Sequence, residues 1–370
     1  MIEGEAVGAI IRAVSSALAA FAIVATALPL LFPRAKSWQI RIFDFPRMQL
    51  AAIGAVAVVL AMLVEGGTRW PWIVLPIVTL TAVAYQLARI WRYSPLAPRE
   101  VERSRRLDGR TRISLVLSNV LQDNRDPSRL VQAVREADPA IMVFVETDQW
   151  WCEQLDVFAR THPHTVRCPL PNTYGMCVYS RLPLEDARID FLVEDDVPSI
   201  QAVARLESGD RVWLNCVHPE PPAPGENDSS AERDAELVLV ARRVENAALP
   251  VIVCGDLNDV AWSRTTRLFQ KISGLVDPRK GRGYFSTFHA KYPFLRYPLD
   301  HVFHSPAFRL VEMRLLPFVG SDHFPVMAVL SLEPDAAIRQ QAPTADREDH
   351  EEGEETVELA RRRQAGGASA

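Results

Sequence analysis

The chain has 370 residues, 41 Lys and Arg against 46 Asp and Glu, and a formal net charge of -5. That length holds one large domain or two smaller ones, and nothing in the near balance of charge demands a nucleic-acid partner. Five cysteines stand singly at 152, 168, 177, 216 and 254, which argues against a disulfide framework and leaves no CxxC spacing for zinc. Cys177, Cys216 and Cys254 lie in apolar runs and read as small core residues.

Three apolar stretches come first, at 13–32, 48–64 and 71–88. The first is uncharged and long enough to span a bilayer, the second is clean but short, and Trp70, Trp72 and Trp91 flank the third where interfacial aromatics are enriched. A signal peptide would explain only the first, and Glu3 and Glu5 spoil the basic start it needs. The expectation is a membrane domain over 1–92 with three transmembrane helices. The loop 33–47 carries Arg34, Lys36, Arg41 and Arg47, the loop 65–70 only Arg69, and the segment after the third helix Arg89, Arg92, Arg99, Arg103, Arg105 and Arg106. The two Arg-rich segments fall on one side, and the positive-inside rule makes that side cytoplasmic. The expected location is a bacterial inner membrane, multi-pass, with the lipid bilayer as a partner and the following domain facing the cytoplasm.

Residues 93–111 read as a charged linker. Strands are predicted at 111–120, 140–145, 174–180, 200–206, 211–217, 251–255, 300–304, 308–316 and 324–331, with helices near 127–136 and 230–246. Adjacent strands interspersed with helices mean a mixed α/β sheet system over 112–333. The remainder, 334–370, lacks apolar periodicity and holds the acidic run DREDHEEGEETVE at 346–358, so it is expected to be a disordered acidic tail.

The chemistry lies at strand ends. SLVLSNV brings Asn119, IMVFVET ends at Glu146, VWLNCVH ends at His218, VIVCGDLN ends at Asp256 and Asn258, YPLDHVF holds Asp300, and VGSDHFPV holds Asp322 and His323. Any one alone would read as a cap or turn residue. Together they form a polar rim on a rigid scaffold, the usual place for catalytic groups.

The ordered set Asn119, Glu146, YGMCVYSRLPL (174–184), His218, GDLN (255–258), LDH (299–301) and SDH (321–323) resembles the endonuclease/exonuclease/phosphatase superfamily over residues 112–332. With apolar helices ahead, the chain is most similar to the bacterial membrane-anchored branch often called YafD-like. The resemblance implies a DNase I-like fold, an α/β (α+β) four-layer sandwich of two mixed β-sheets flanked by helices. It implies Mg²⁺, or Mn²⁺, held by Glu146 with Asn119 and Asp322, because hard oxygen ligands suit such ions. It implies His323 as the catalytic histidine, Asp300 as its orienting carboxylate, Asp256 beside the attacking water, and Asn258 and His218 on the phosphoryl oxygens.

Arg181 is an expected contact to substrate phosphate, whereas His301 and His304 read as structural. One departure stands out: where the nucleases of this group place an acidic residue two positions after the metal-site Asn, this chain has Leu121, then Gln122, with Asn124 a substitute, so one metal fits better than two. The implied activity is phosphodiester hydrolysis of nuclease type. A lipid head group is the alternative substrate, and a non-catalytic membrane binding module the alternative class. The cluster Arg279, Lys280 and Arg282, with Tyr284 and Phe285, is a candidate nucleic-acid contact.

Overall fold

The computed structural model describes residues 2–64, 71–223 and 225–367. The loop 65–70, whose Arg69 enters the orientation argument, lies outside the described residues, as do Trp70 and the last three residues of the tail. The chain divides into two compact units, Met1–Ala97 and Pro98–Ala370.

The first unit holds α1 (Ile2–Leu31), α2 (Trp38–Arg41), α3 (Arg47–Met62) and α4 (Pro71–Ile90). Two segments, Glu5–Leu31 and Trp72–Tyr93, are long and apolar enough to cross a membrane. The expected second span is weaker. Helix α3 has 16 residues, about 24 Å at 1.5 Å per residue, short of a hydrocarbon core of about 30 Å. It reaches spanning length only together with Trp38–Asp44, from which it is bent by 74°. Pro46 stands at that bend, where its ring cannot continue the helix. Asp44 joins the two pieces by bridging Arg41 at 3.1 Å and Arg47 at 2.5 Å. Gly54 lets α3 and α4 approach closely, since a Cβ there would stand 2.6 Å from Val83 Cγ2.

The second unit runs β1 (Arg112–Asn119), α5 (Ser128–Ala137), β2 (Ile141–Val145), α6 (Gln149–Leu155), β3 (His164–Cys168), β4 (Met176–Ser180), β5 (Leu184–Phe191), β6 (Pro198–Arg205), β7 (Arg211–Cys216), α7 (Ala231–Val244), β8 (Val251–Asp256), α8 (Arg264–Ser273), β9 (Asp300–His304), β10 (Phe308–Leu315), β11 (Val326–Leu332), α9 (Ala336–Arg339) and α10 (Arg347–Gly367). The strands form a six-stranded sheet, β10-β11-β1-β2-β4-β3, and a five-stranded sheet, β5-β6-β7-β8-β9. Side chains from both, among them Leu115, Val143, Leu214 and Ile252, pack between the sheets. Helices α5 and α6 cover the first sheet from outside, and α7, α8 and α10 the second. This is the expected four-layer arrangement.

Each sheet contains one parallel pair, β1 with β2 and β7 with β8; the other pairings are antiparallel. Parallel neighbours end at the same edge. Antiparallel neighbours begin there, so β9 starts with Asp300 opposite Asp256, and β11 starts at Val326 opposite Leu117. One rim therefore collects the ends of β1, β2, β7 and β8 and the starts of β9 and β11.

Two expectations are corrected. Cys152 on α6 and Cys177 on β4 form a disulfide, a pair that isolated cysteines 25 residues apart in sequence do not announce. Cys216 and Cys254 remain free and buried, as expected. The tail is not disordered over its described residues: α10 buries Val357 and Ala360 against α7 and α8. Its acidic residues pair with basic ones there, Glu352 with Arg264 at 2.5 Å and Asp349 with Lys271 at 2.8 Å.

Candidate active site

The rim brings together eight of the expected residues, Asn119, Glu146, His218, Asp256, Asn258, Asp300, Asp322 and His323. Asn119, the last residue of β1, is buried, and its amide donates to Glu146 Oε1 at 2.6 Å and to Asp256 Oδ2 at 3.1 Å. One side chain thus ties the end of the first sheet to the end of the second. Its own oxygen accepts from Leu121 N at 2.9 Å, so position 121 contributes backbone rather than a carboxylate. Leu121, Glu146 and Asn258 all have positive φ (57°, 61° and 50°). Three non-glycine residues in the left-handed region within one site mark backbone held against its preference by its surroundings.

Glu146 follows β2 in the turn before α6, where Asp148 caps the helix by accepting from Trp151 N at 2.9 Å. Glu146 Oε2 accepts from Gln122 N at 3.1 Å. Burial pushes its carboxyl up to about 7, against hydrogen bonds from Asn119 and Gln122 that pull it down. Neither hydrogen-bond partner carries a charge.

His323 sits in the turn entering β11. Its Nδ1 is 2.7 Å from Asp300 Oδ2, and its Nε2 is 3.5 Å from Asp256 Oδ2. Burial alone would lower its pKa, but the carboxylates of Asp300 and Asp256 outweigh it and hold the ring protonated, at about 10. Asp256 is buried, which would raise its carboxyl, yet His323 and His218 bring it below the ordinary range. Its Oδ1 accepts from Asn258 N at 3.0 Å. His218 Nε2 lies 4.0 Å from Asp256 Oδ2, and burial depresses its pKa to about 4, so at neutral pH it is an uncharged imidazole. Its Nδ1 is buried without a hydrogen-bond partner. Asn258 donates its amide to Pro219 O at 3.0 Å, which pins the loop after His218. Asp322 is half-buried, and its charge is felt at Glu146.

The donor set fits a hard divalent cation. Glu146 and Asp256 present oxygen atoms around a shared amide, and the half-buried Glu146 has an incompletely compensated charge that a cation would balance. Asp256, Asp300 and His323 also bring one ligand-type atom each within 4.8 Å of one another. The protonated His323 has no lone pair to offer, so the oxygen cluster around Glu146 is the better cation site.

Arg181 does not belong to the site. It follows β4, which runs antiparallel to β2, so it lies beside Ala140 at the far end of β2 and pairs with Asp138. Five residues of strand at about 3.3 Å each separate that end from Glu146, about 16 Å. The cluster at 279–282 is likewise committed elsewhere. Arg279 is fully buried against Asp277 at 2.8 Å, Lys280 pairs with Glu100 at 2.8 Å, and Arg282 donates to Pro278 O and Val101 O.

Sequence reasoning missed what holds the site in place. Arg279 donates to Asp300 O at 3.1 Å and meets His301 Nδ1 at 2.7 Å, while His301 Nε2 meets Asp259 O at 2.9 Å. Arg233 of α7 donates to Asn258 O at 2.7 Å. His301 and His304 are buried and structural, as expected. The glycine of GDLN could have been read further: a Cβ at Gly255 would overlap the Val217 carbonyl, so only glycine lets β8 pass the residue that positions His218.

A family model described as Endonuclease/Exonuclease/phosphatase family matches residues 116–323, more than half of the chain. Among solved structures, the chain is similar to the endonuclease/exonuclease/phosphatase from Beutenbergia cavernae DSM 12333, at 19% identity and a TM-score of 0.51, covering 60% of this chain and 72% of that one. It is similar to D. rerio TDP2 complexed with single strand DNA product, at 17% identity and a TM-score of 0.50, covering 60% and 99%. It is also similar to humanized D. rerio TDP2 with 14 mutations, at 16% identity and a TM-score of 0.50, with the same coverage. At such identities the structural likeness shows the fold alone. No curated protein sequence matches the chain.

Proposed function

The chain belongs to the endonuclease/exonuclease/phosphatase family, and from that premise we propose a divalent-metal-dependent phosphoesterase that hydrolyses phosphodiester bonds by in-line attack of water. The observation that carries this reading is the convergence of Glu146, Asn119, Asp256 and the His323–Asp300 pair on one rim, with His323 Nδ1 2.7 Å from Asp300. Mg²⁺, or Mn²⁺, held by Glu146 with Asn119 and Asp322 beside it, would neutralise the phosphoryl oxygens that otherwise repel a nucleophile.

The remaining roles belong to this chain's own groups. Asp300 fixes the proton on His323 Nδ1 and keeps the ring cationic, so Nε2–H faces the site as a donor to a phosphoryl oxygen gaining charge. Asp256 stays ionised and accepts a proton from the attacking water, or orients it. Neutral His218 and the amide of Asn258 add hydrogen bonds to the same phosphoryl group. A purely non-catalytic module would keep four ionisable groups, Asp256, Asp300, His218 and His323, each under 5% exposed, at a desolvation cost with no return. The apolar helices support anchoring in a membrane; counting the bent pair Trp38–Asp44 and Arg47–Met62 as one span puts both Arg-rich segments on one side, which supports a cytoplasmic catalytic domain.

Two substrate classes fit the reaction. The DNA product complex of D. rerio TDP2 supports a nuclease. Burial and the neighbouring Glu220 push the Glu194 carboxyl up to about 8, so of the acidic residues near Tyr174, whose ring is 5.8 Å from that of His218, that one brings little charge against a polyanion at neutral pH. The test is hydrolysis of bis(p-nitrophenyl) phosphate and supercoiled plasmid by the full-length protein in detergent, with Mg²⁺, Mn²⁺ or EDTA, beside His323→Ala. Turnover that needs the metal and falls at least about 10³-fold with His323→Ala is expected. Activity indifferent to EDTA, or unchanged in His323→Ala, would overturn the reading.

A further inference from the structure

The segment HAKYPFLR, residues 289–296, leaves the fold directly beside the catalytic histidine. Its base is fixed: Phe288 bridges to Tyr297 on one side and to His323 on the other, with the Phe288 and His323 rings 5.0 Å apart. Ala290 N donates to Asp322 O at 2.6 Å. The turn is closed by Leu295 N to Tyr292 O at 3.0 Å and His289 N to Leu295 O at 2.9 Å.

Its tip is apolar and outside. Tyr292 is 57% exposed, Phe294 84% and Leu295 50%, three large apolar side chains within four positions, with Pro293 between them. This is the densest run of exposed large apolar residues among the described residues of the catalytic unit. Single exposed apolar residues need no explanation, but a cluster does. Cations flank it: Lys291 is exposed, and Arg296 lies with its guanidinium 5.0 Å over the Phe324 ring.

Aromatic and aliphatic side chains ringed by Lys and Arg match the boundary between head groups and acyl chains of a bilayer. Bases of a single strand would also stack on Tyr292 and Phe294, but Leu295 offers no π face. A strand also carries further phosphates past the site and needs basic partners for them, while a lipid brings one phosphate. We propose that the loop 289–296 dips into a lipid surface and seats the site on it, so that the substrate is a phosphodiester carried in a lipid head group. The inference rests on the phosphodiesterase reading above. The hydrolysis adds one water across the P–O bond: its hydroxyl oxygen bonds phosphorus, the bond to the leaving oxygen breaks, and the departing alcohol receives the proton.

The test uses the full-length protein in nanodiscs of phosphatidylcholine and phosphatidylglycerol, with bis(p-nitrophenyl) phosphate as a soluble substrate. The double variant Phe294→Asp/Leu295→Asp should hydrolyse the soluble diester within about twofold of wild type and release lipid head groups at least about tenfold more slowly. The emission added by Phe294→Trp should be quenched by brominated phosphatidylcholine, a readout independent of turnover. Equal lipid turnover in the double variant, or an unquenched signal, overturns the proposal. So does a parallel loss on both substrates, which would make the loop a mere support for His323. Cleavage of single-stranded DNA but not lipid, slowed by the double variant, would assign the loop to nucleic acid instead. If wild type hydrolyses neither lipid nor the soluble diester, the phosphodiesterase reading falls and takes the substrate with it, whereas turnover of the soluble diester alone overturns only the lipid inference.

Discussion

A methyl group added at Gly255 tests whether spacing between β7 and β8 sets the chemistry. The Cβ of Gly255→Ala would overlap the Val217 carbonyl oxygen, with the carbonyl carbon only 2.8 Å away, inside the 3.0 Å that real Cβ atoms keep. Neither side yields cheaply. Val217 N donates to Cys254 O at 3.0 Å, and Gly255 is paired with His301 across the ladder to β9. The carbonyl oxygen would stand 1.8 Å from that Cβ, so even to reach the 3.0 Å that real Cβ atoms keep, the two strand ends must part by more than about 1 Å. The displaced residues are the neighbours that carry function, His218 on one strand and Asp256 on the other. A misplacement of about 1 Å costs about 10²-fold in rate, or about 2.7 kcal/mol of barrier. Overpacking costs a further 1–3 kcal/mol, roughly, of folding stability.

Turnover of bis(p-nitrophenyl) phosphate with Mg²⁺ measures the first effect, and urea unfolding followed by circular dichroism the second. Gly109→Ala is the control, because a Cβ there meets nothing within 4 Å. A folded Gly255→Ala protein with wild-type turnover would refute the reasoning.

Two further outcomes are expected. In Asp300→Asn the amide cannot hold the proton on His323 Nδ1 at 2.7 Å, so the rate should fall by about 10²–10⁴-fold with the fold intact, measured by turnover beside a thermal melt; a loss under threefold would remove Asp300 from the mechanism. Glu236 of α7 is buried, accepts from Ser199 Oγ at 2.8 Å, and burial pushes its carboxyl up to about 7. Its folded pKa stands above the unfolded one, so its contribution is whole below about pH 4.5 and is lost as pH rises towards 7, by up to about 3 kcal/mol. Glu236→Gln should therefore gain stability over wild type at pH 8 and little at pH 4 in urea titrations, and equal gains at both would refute the assignment.

The polar strand ends were legible because a run such as VIVC cannot end in Asp256 without a reason outside the strand. Their convergence was not, because it depends on which strands lie parallel, and pairing is set by contacts far apart in sequence. The missed elements share a physical cause. Strand β5 (LEDARIDF) is an edge strand with charges on its exposed face, so it lacks the apolar alternation that marks a half-buried strand. Helix α8 is polar along most of its length and is announced chiefly by Ser263, whose hydroxyl caps it by accepting from Thr266 N at 2.9 Å. Arg181 misled because a basic residue in a motif-bearing stretch says nothing of which end of the strand it occupies. The basic cluster at 279–282 misled because its partners Asp277 and Glu100 are invisible to a count of positive charge.

The docking of α10 changes what counts as a usable fragment of this chain. Composition alone invites an expression boundary near residue 333, where the acidic stretch begins. Such a cut would uncover the faces of α7 and α8 that receive Val357 and Ala360, and would strip Arg264 and Lys271 of Glu352 and Asp349. It would also take Arg363 from Glu232 at 2.7 Å, on the helix whose Arg233 holds Asn258. A fragment ending there would carry a sticky surface and a loosened anchor beneath its own catalytic loop, and low yield or low activity from it would report on the boundary rather than on the enzyme.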